Sequence, residues 1–168
     1  MKRSPERTSR RAPVILTDED WLTELTKRLG SVARLTHSVR IFEEVGRRAE
    51  TGMRPYLFGV IGRLRDLQPV RVSDLAEHLD YDRSTVSRHI LELVELGCVE
   101  RLPDPSDGRV VVLRLTEHGQ QVVDAIYAAW NEVMSEFTSD WTPTDRKRFL
   151  SLLSRFDDSF VEHVDSWE

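Results

Sequence analysis

The segment Arg83 to Leu96 carries the side chains best suited to hydrogen bonding with another molecule. On a helical wheel its polar and apolar residues separate cleanly: Ser84, Thr85, Arg88, Glu92 and Glu95 on one side, Val86, Ile90 and Leu93 on the other. The first half of the polar side holds hydroxyls and an arginine, which hydrogen-bond to base edges and phosphates. The second half holds glutamates, which phosphate repels. These residues predict that the N-terminal half of the helix contacts nucleic acid.

Individual contacts follow from side-chain type. Arg88 has the fork geometry that bonds both acceptors of guanine in the major groove. The hydroxyls are expected to contact bases or phosphate; they belong to Ser84, Thr85 and Ser87. Arg83 and His89 are expected to make contacts at the flanks of the site. A solvated surface helix has the same amphipathic pattern, so the neighbouring elements decide between the two interpretations.

A hairpin is predicted directly after this helix. Cys98 to Leu102 and Val110 to Leu115 have strand composition, and positions 103–108 between them are dense in turn formers. Arg109 follows the turn, and narrow minor grooves attract guanidinium groups. Asp107 either holds the hairpin or a neighbouring arginine in place, or serves ordinary turn chemistry; both interpretations stay open.

A short helix over 72–79, with Ser73 as its expected N-cap, precedes the turn Asp80–Asp82. Gly97 is expected to end the second helix, because glycine tolerates positive φ. Two short helices joined by a tight turn and followed by a hairpin form a winged helix-turn-helix, whose second helix enters the major groove.

Longer helices flank this unit. Apolar residues at helical spacing predict one long helix from Asp18 to Gly52 and a shorter one over 56–67. Thr116 and Thr142-Pro143 begin two more. The long apolar faces require a partner helix. The predicted fold is mainly α with a small β-wing (α+β), a winged helix-turn-helix within a helical dimer, in the order α-α-α-α-β-β-α-α.

The organisation divides into three parts. Residues 1–13 are expected to form a disordered basic arm, 14–54 and 117–166 a helical dimerisation domain, and 55–116 the winged helix-turn-helix DNA-binding domain.

Composition limits the classes of function. The chain has 168 residues and a net charge of −5, and 21 of its 24 basic residues are arginine. One cysteine excludes a disulfide scaffold and a cysteine-rich zinc site, and the five histidines are scattered. We found no phosphate loop, nucleophile elbow or metalloprotease helix, so we expect no enzyme activity, cofactor or metal. No apolar run suggests a membrane span or signal peptide, and we expect a cytoplasmic, nucleoid-associated protein.

Residues 70–120 resemble the multiple-antibiotic-resistance regulator (MarR) family of bacterial transcription factors. The runs that carry the resemblance are RSTVSRHI, LGCVER, DPSDGR and LRLTEHG. The resemblance implies a homodimer, most often a repressor, that binds a pseudo-palindromic double-stranded operator. It matches Ser84, Thr85, Ser87 and Arg88 to major-groove positions, and Asp107 and Arg109 to the wing's acidic and basic pair.

Regulators similar to this chain usually release DNA when they bind a small aromatic or anionic ligand near the junction of the dimer helices and the winged domain. His37, Arg40 and Tyr56 fall near that junction in the sequence and are the candidate ligand contacts. Two alternatives remain open at this point: redox sensing through Cys98, and a helical dimer whose winged module contacts proteins rather than DNA.

Overall fold

A computed structural model describes residues 17–36, 38–104 and 106–165 of the chain. These residues form seven helices and one two-stranded antiparallel sheet: α1 (Asp18–Thr36), α2 (Val39–Ala49), α3 (Leu57–Leu67), α4 (Val72–Leu79), α5 (Arg83–Glu95), β1 (Val99–Pro103), β2 (Val111–Leu115), α6 (Glu117–Phe137) and α7 (Pro143–Asp165). The predicted fold class, mainly α with a small β-wing, is confirmed.

The N-terminal region differs from its prediction, because two helices, α1 and α2, stand where periodicity predicts one. The Thr36 hydroxyl donates to the Val32 carbonyl, and the Ser38 backbone N–H bonds the Leu35 carbonyl, three residues back rather than four. Side chains that bond the backbone in this way compete with continued helix. Val32 and Val39 are seven residues apart, two full turns, so the apolar spacing runs through the break unseen.

The structure divides into two units, the first ending at Ile41 and the second beginning at Phe42. The core of the second unit is built on α3, which buries Leu57, Val60, Ile61 and Leu64. These positions follow the i, i+3, i+4, i+7 spacing of one helix face. Helices α4, α5 and α6 and strand β2 pack against α3, so the predicted recognition helix is seated on the core.

The base of the hairpin is bonded to the segment between α3 and α4. Strand β1 pairs with β2 from Val99 opposite Leu115 to Pro103 opposite Val111. Val70 exchanges two backbone hydrogen bonds with Leu113, of 3.2 and 2.8 Å. The Leu115 N–H donates to the Gln68 side-chain oxygen at 2.7 Å. These bonds fix the hairpin against the helix-turn-helix.

The start of α6 confirms the predicted cap. The Thr116 hydroxyl accepts from the Gly119 N–H at 2.9 Å and donates to the Gly97 carbonyl at 2.6 Å. Gly97 has φ of +70°, the left-handed conformation expected of it after α5. The Ser73 prediction is wrong, because Arg71 stands at the N-cap position of α4 and the Ser73 hydroxyl bonds Asp74 instead.

Candidate nucleic-acid interface

Helix α5 begins at a side-chain cap. Asp82 Oδ1 accepts from the Thr85 N–H at 2.9 Å and also from the Ser84 hydroxyl. The hydrogen bonds from Ser84 and Thr85 hold the pKa of the Asp82 carboxyl well below its usual range, so the cap stays charged. Sequence reasoning placed Asp82 only in a turn, although aspartate immediately before an amphipathic run is itself an N-cap signal.

The predicted polar face of α5 is confirmed as the solvent side. Val86, Ile90 and Leu93 are fully buried, whereas Ser84 and Arg88 are exposed. The Ser87 hydroxyl donates to the Arg83 carbonyl at 2.7 Å, and Arg88 Nη2 donates to Thr85 Oγ1 at 3.2 Å. The latter bond extends the Arg88 guanidinium along the first turns of the helix.

A cleft of about 640 Å³ lies between α5, the start of α4 and the hairpin. Four arginines from four parts of the sequence line it: Arg71, Arg83, Arg101 and Arg109. The hydroxyl-bearing Ser73 and Ser87 also line it, and none of the described lining residues is acidic. The cleft therefore concentrates positive charge, although residues 71–115 carry six basic and nine acidic side chains.

The fold thus brings Arg83 and Ser87 of α5 together with Arg109 of the hairpin, as a shared interface requires. Sequence reasoning missed Arg71 and Arg101. Their place in the cleft depends on the bonding of Val70 to β2 and on the pairing of β1 with β2, and neither leaves a local pattern around the two arginines.

The hairpin tip is organised by its aspartates. Asp107 Oδ1 accepts from the backbone N–H of Arg109 at 3.0 Å, and the Asp107 carbonyl accepts from the Val110 N–H at 2.9 Å. Of the two interpretations of Asp107, these contacts are those of turn chemistry. Because the bond goes to the Arg109 backbone, the exposed guanidinium is left for another partner.

The opposite side of α5 holds a second, smaller cavity of about 360 Å³, lined by Tyr56, Arg88, His89 and Glu92. The His89 ring lies 5.0 Å from the Tyr56 ring and 6.4 Å from that of Tyr81, centroid to centroid. Its Nδ1 is buried and has no hydrogen-bond partner within the described part of the chain. His89 therefore lines this cavity and not the arginine cleft.

Of the three candidate ligand contacts, His37 lies outside the described residues. Arg40 is exposed on α2. Tyr56 is 45% exposed and its hydroxyl donates to Glu92, a hydrogen bond that raises the pKa of the tyrosine. The ligand contacts stay predictions.

Cys98 is 1% exposed, and burial raises the pKa of its thiol. A redox-sensing cysteine needs the thiolate, so this environment disfavours that alternative. Across residues 17–36, 38–104 and 106–165 we found no cluster of three side chains able to hold a metal ion. No helix in the same residues combines the length and apolarity needed to cross a bilayer.

The structure contains a winged helix-turn-helix of the DNA-binding class. It consists of the short helices α4 and α5, the β1–β2 hairpin that follows them, and the arginine cleft between α5 and the hairpin. Comparison with known proteins agrees. The family model described as MarR family matches residues 58–111. The HTH-type transcriptional regulator YxaD of Bacillus subtilis is 31% identical over 103 residues, which cover 61% of this chain and 72% of YxaD.

Two further proteins extend the similarity. The HTH-type transcriptional repressor NicR of Pseudomonas putida is 25% identical over 138 residues, 81% of this chain and 86% of NicR. The structure of a MarR family protein from Bacillus stearothermophilus superimposes with a TM-score of 0.72 at 19% identity, covering 87% of this chain and 99% of that one. The chain belongs to the MarR family, whose members are transcriptional regulators and not enzymes.

Proposed function

We propose that this regulator is a homodimeric repressor that binds a pseudo-palindromic double-stranded operator and is released by a small aromatic or anionic ligand. In this proposal Arg83, Ser84, Thr85, Ser87, Arg88 and His89 serve the major groove, and Asp107 and Arg109 the wing. Residues 55–116 act as the DNA-binding domain, and 14–54 and 117–166 as the dimerisation domain.

The observation that carries the DNA-binding part is the arginine cleft. Three of its guanidiniums, those of Arg83, Arg101 and Arg109, belong to exposed residues on two different elements, α5 and the hairpin. A helix in a major groove and a hairpin in the adjacent minor groove have a phosphate backbone between them. Arginines that line the space between helix and hairpin are suited to that backbone, because guanidinium forms paired hydrogen bonds with phosphate.

The dimer is supported by α7. Every described residue of this helix beyond its first turn is exposed, including a stripe of large apolar side chains at helical spacing: Phe149, Leu152, Leu153, Phe156 and Phe160. Such a stripe on a helix is normally covered by another helix. We assign a second copy of this chain as the cover. Two recognition helices about 34 Å apart are needed to enter successive major grooves on one face of DNA, and a symmetric dimer supplies them.

Release by a ligand requires that the ligand bind one spacing of the two recognition helices more tightly than the other. His37, Arg40 and Tyr56 remain the proposed contacts for such a ligand. An arginine and a histidine suit an anionic group, and the tyrosine ring suits an aromatic one.

Selection of genomic DNA tests the proposal. Fragments of the source genome are mixed with the purified protein at about 150 mM salt, and the retained fragments are sequenced. We expect enrichment of fragments that share an inverted repeat, and sedimentation of the complex should give two chains per duplex. Retention without a shared sequence would overturn the operator proposal, and one chain per duplex would overturn the dimer.

A further inference from the structure

Glu92 stands in a position that should interfere with the guanine-reading role proposed for Arg88. The two residues are four apart on α5, and acidic and basic side chains at that spacing commonly form ion pairs on helices. An arginine whose charge is shared with a neighbouring carboxylate has fewer donors left for a base. Glutamate close to the DNA backbone also repels phosphate.

Glu92 contacts Tyr56 and Arg54 rather than Arg88. The Tyr56 hydroxyl, just ahead of α3, donates to Glu92 Oε2. Arg54 Nε lies 3.6 Å from Glu92 Oε1, and Arg54 Nη1 donates to the Tyr56 hydroxyl at 3.4 Å. Arg54, Tyr56 and Glu92 therefore form one connected group, which we call the Glu92 clamp.

Arg88 makes a hydrogen bond to a hydroxyl and not to a carboxylate. Its Nη2 donates to Thr85 Oγ1 at 3.2 Å, toward the start of the helix. No ion pair within 4.0 Å joins Arg88 to Glu92 or to another carboxylate in the part of the chain that the structure describes. The shallow 360 Å³ cavity lined by Tyr56, Arg88, His89 and Glu92 marks the open space beside the clamp.

We infer that Tyr56 and Arg54 are positioning residues for DNA recognition: by holding Glu92 they keep Arg88 unpaired and available to guanine. This inference rests on the proposed function. Tyr56 acts through Glu92 and does not itself touch the base. The clamp joins the residues just before α3 to the C-terminal half of the recognition helix, and both lie in the same unit of the structure.

A double-mutant design separates this role from simple support of the fold. Tyr56→Phe removes the hydroxyl that bonds Glu92 and leaves the ring beside His89 in place. Glu92→Gln removes the charge that would pair with Arg88. The two single variants, the double variant and the wild type are titrated by fluorescence anisotropy on an operator duplex from the genomic selection and on a scrambled duplex of equal length.

The wild type and Glu92→Gln should prefer the operator to similar degrees. Tyr56→Phe should reduce the ratio of operator to scrambled affinity about tenfold, the order expected for one lost guanine contact. Tyr56→Phe combined with Glu92→Gln should recover the wild-type ratio to within about twofold, because no carboxylate remains to compete for Arg88.

Two results would overturn the clamp while leaving the proposed function intact. The first is a Tyr56→Phe ratio equal to that of the wild type. The second is a double variant as defective as Tyr56→Phe alone, which would mean that the hydroxyl supports the structure and not the charge of Arg88. A wild type that fails to distinguish the two duplexes would instead overturn the proposed function, and the clamp with it.

Discussion

Arg71 Nη2 lies 3.5 Å from Asp104 Oδ2, and this ion pair joins the residue that precedes α4 to the first residue after β1. Asp104 Oδ1 also accepts from the Ser106 N–H at 2.8 Å, and the hydrogen bonds from Ser106 lower the pKa of the carboxyl. The charge of Arg71 is thus paired with a carboxylate of the same chain. Arg101 lines the same cleft but forms none of the ion pairs found among the described residues.

This difference predicts unequal contributions to phosphate binding. Each phosphate neutralised by a cation adds about 0.9 to the slope of log affinity against log salt. Arg101→Ala should lower the slope by about one unit, and Arg71→Ala by clearly less, because Arg71 is already paired. Anisotropy titrations at several salt concentrations measure both slopes. Equal losses in the two variants would mean that the Arg71–Asp104 pair opens on DNA.

Arg88 and Arg109 should differ in what they recognise. Arg88→Ala is expected to lower affinity for the operator by about 1–3 kcal/mol and to change affinity for scrambled DNA much less, because a guanine contact carries sequence information. Arg109→Ala is expected to weaken binding to both duplexes without unfolding the protein, since the Arg109 guanidinium is exposed on the hairpin. Parallel losses on both duplexes for Arg88→Ala would contradict base reading. Unchanged affinity for Arg109→Ala at matched salt would contradict the wing contact.

Much of this interface could be predicted from the sequence. The amphipathic wheel of α5 separates Ser84 and Arg88 from Val86, Ile90 and Leu93 correctly, because helix period and burial are local properties. Turn composition likewise predicts the hairpin. The places of Arg71 and Arg101 depend on pairings between distant segments, and those have no local signature.

A different limit applies to the N-terminal helix, where the break comes from local hydrogen bonds of Thr36 and Ser38 that hydrophobic periodicity does not register. Residues at the break between α1 and α2 keep the seven-residue spacing of Val32 and Val39, so periodicity cannot distinguish one helix from two. The role of Tyr56 was also out of reach, since its partner Glu92 is 36 residues further along the chain.

Gly119 should be intolerant of any side chain. A Cβ built at this position would lie 1.9 Å from the Cys98 carbonyl oxygen, a backbone atom that also accepts from the Thr116 N–H. Gly119→Ala is therefore expected to lower the free energy of unfolding by about 2–3 kcal/mol or more, as overpacking against fixed atoms does. Urea unfolding followed by circular dichroism measures the loss.

Gly59→Ala is the matched control for that experiment. Gly59 is an exposed position in α3, and a Cβ there meets nothing within 4 Å. This variant should keep or raise stability by up to about 1 kcal/mol, since alanine favours helix over glycine. A Gly119→Ala protein as stable as Gly59→Ala would contradict the close approach of α6 to Cys98.

Acid should weaken the contact that Glu44 makes with two arginines. Glu44 bonds Arg47 and Arg48, and these bonds lower the pKa of its carboxyl from 4.5 to about 2. The pKa of Glu44 is lower in the folded protein than in the unfolded chain. The contact therefore stabilises the folded protein fully at pH values above the unfolded pKa. It is lost as pH falls from about 4.5 toward 2. Glu44→Gln should lower Tm at pH 6, and the difference from the wild type should shrink at pH 3. A difference that is constant with pH would exclude the charged contact.

The most direct test of the central claim, that this winged domain reads a DNA sequence through its arginine cleft and recognition helix, is a titration of the wild-type protein. Fluorescence anisotropy is measured on the DNA upstream of its own coding region and on a scrambled duplex, at two salt concentrations. We predict tighter binding to the upstream DNA at both concentrations and a steep loss of affinity as salt rises. Equal affinity for the upstream and scrambled duplexes would contradict sequence reading if the fragments retained in the genomic selection also bind no more tightly than scrambled DNA.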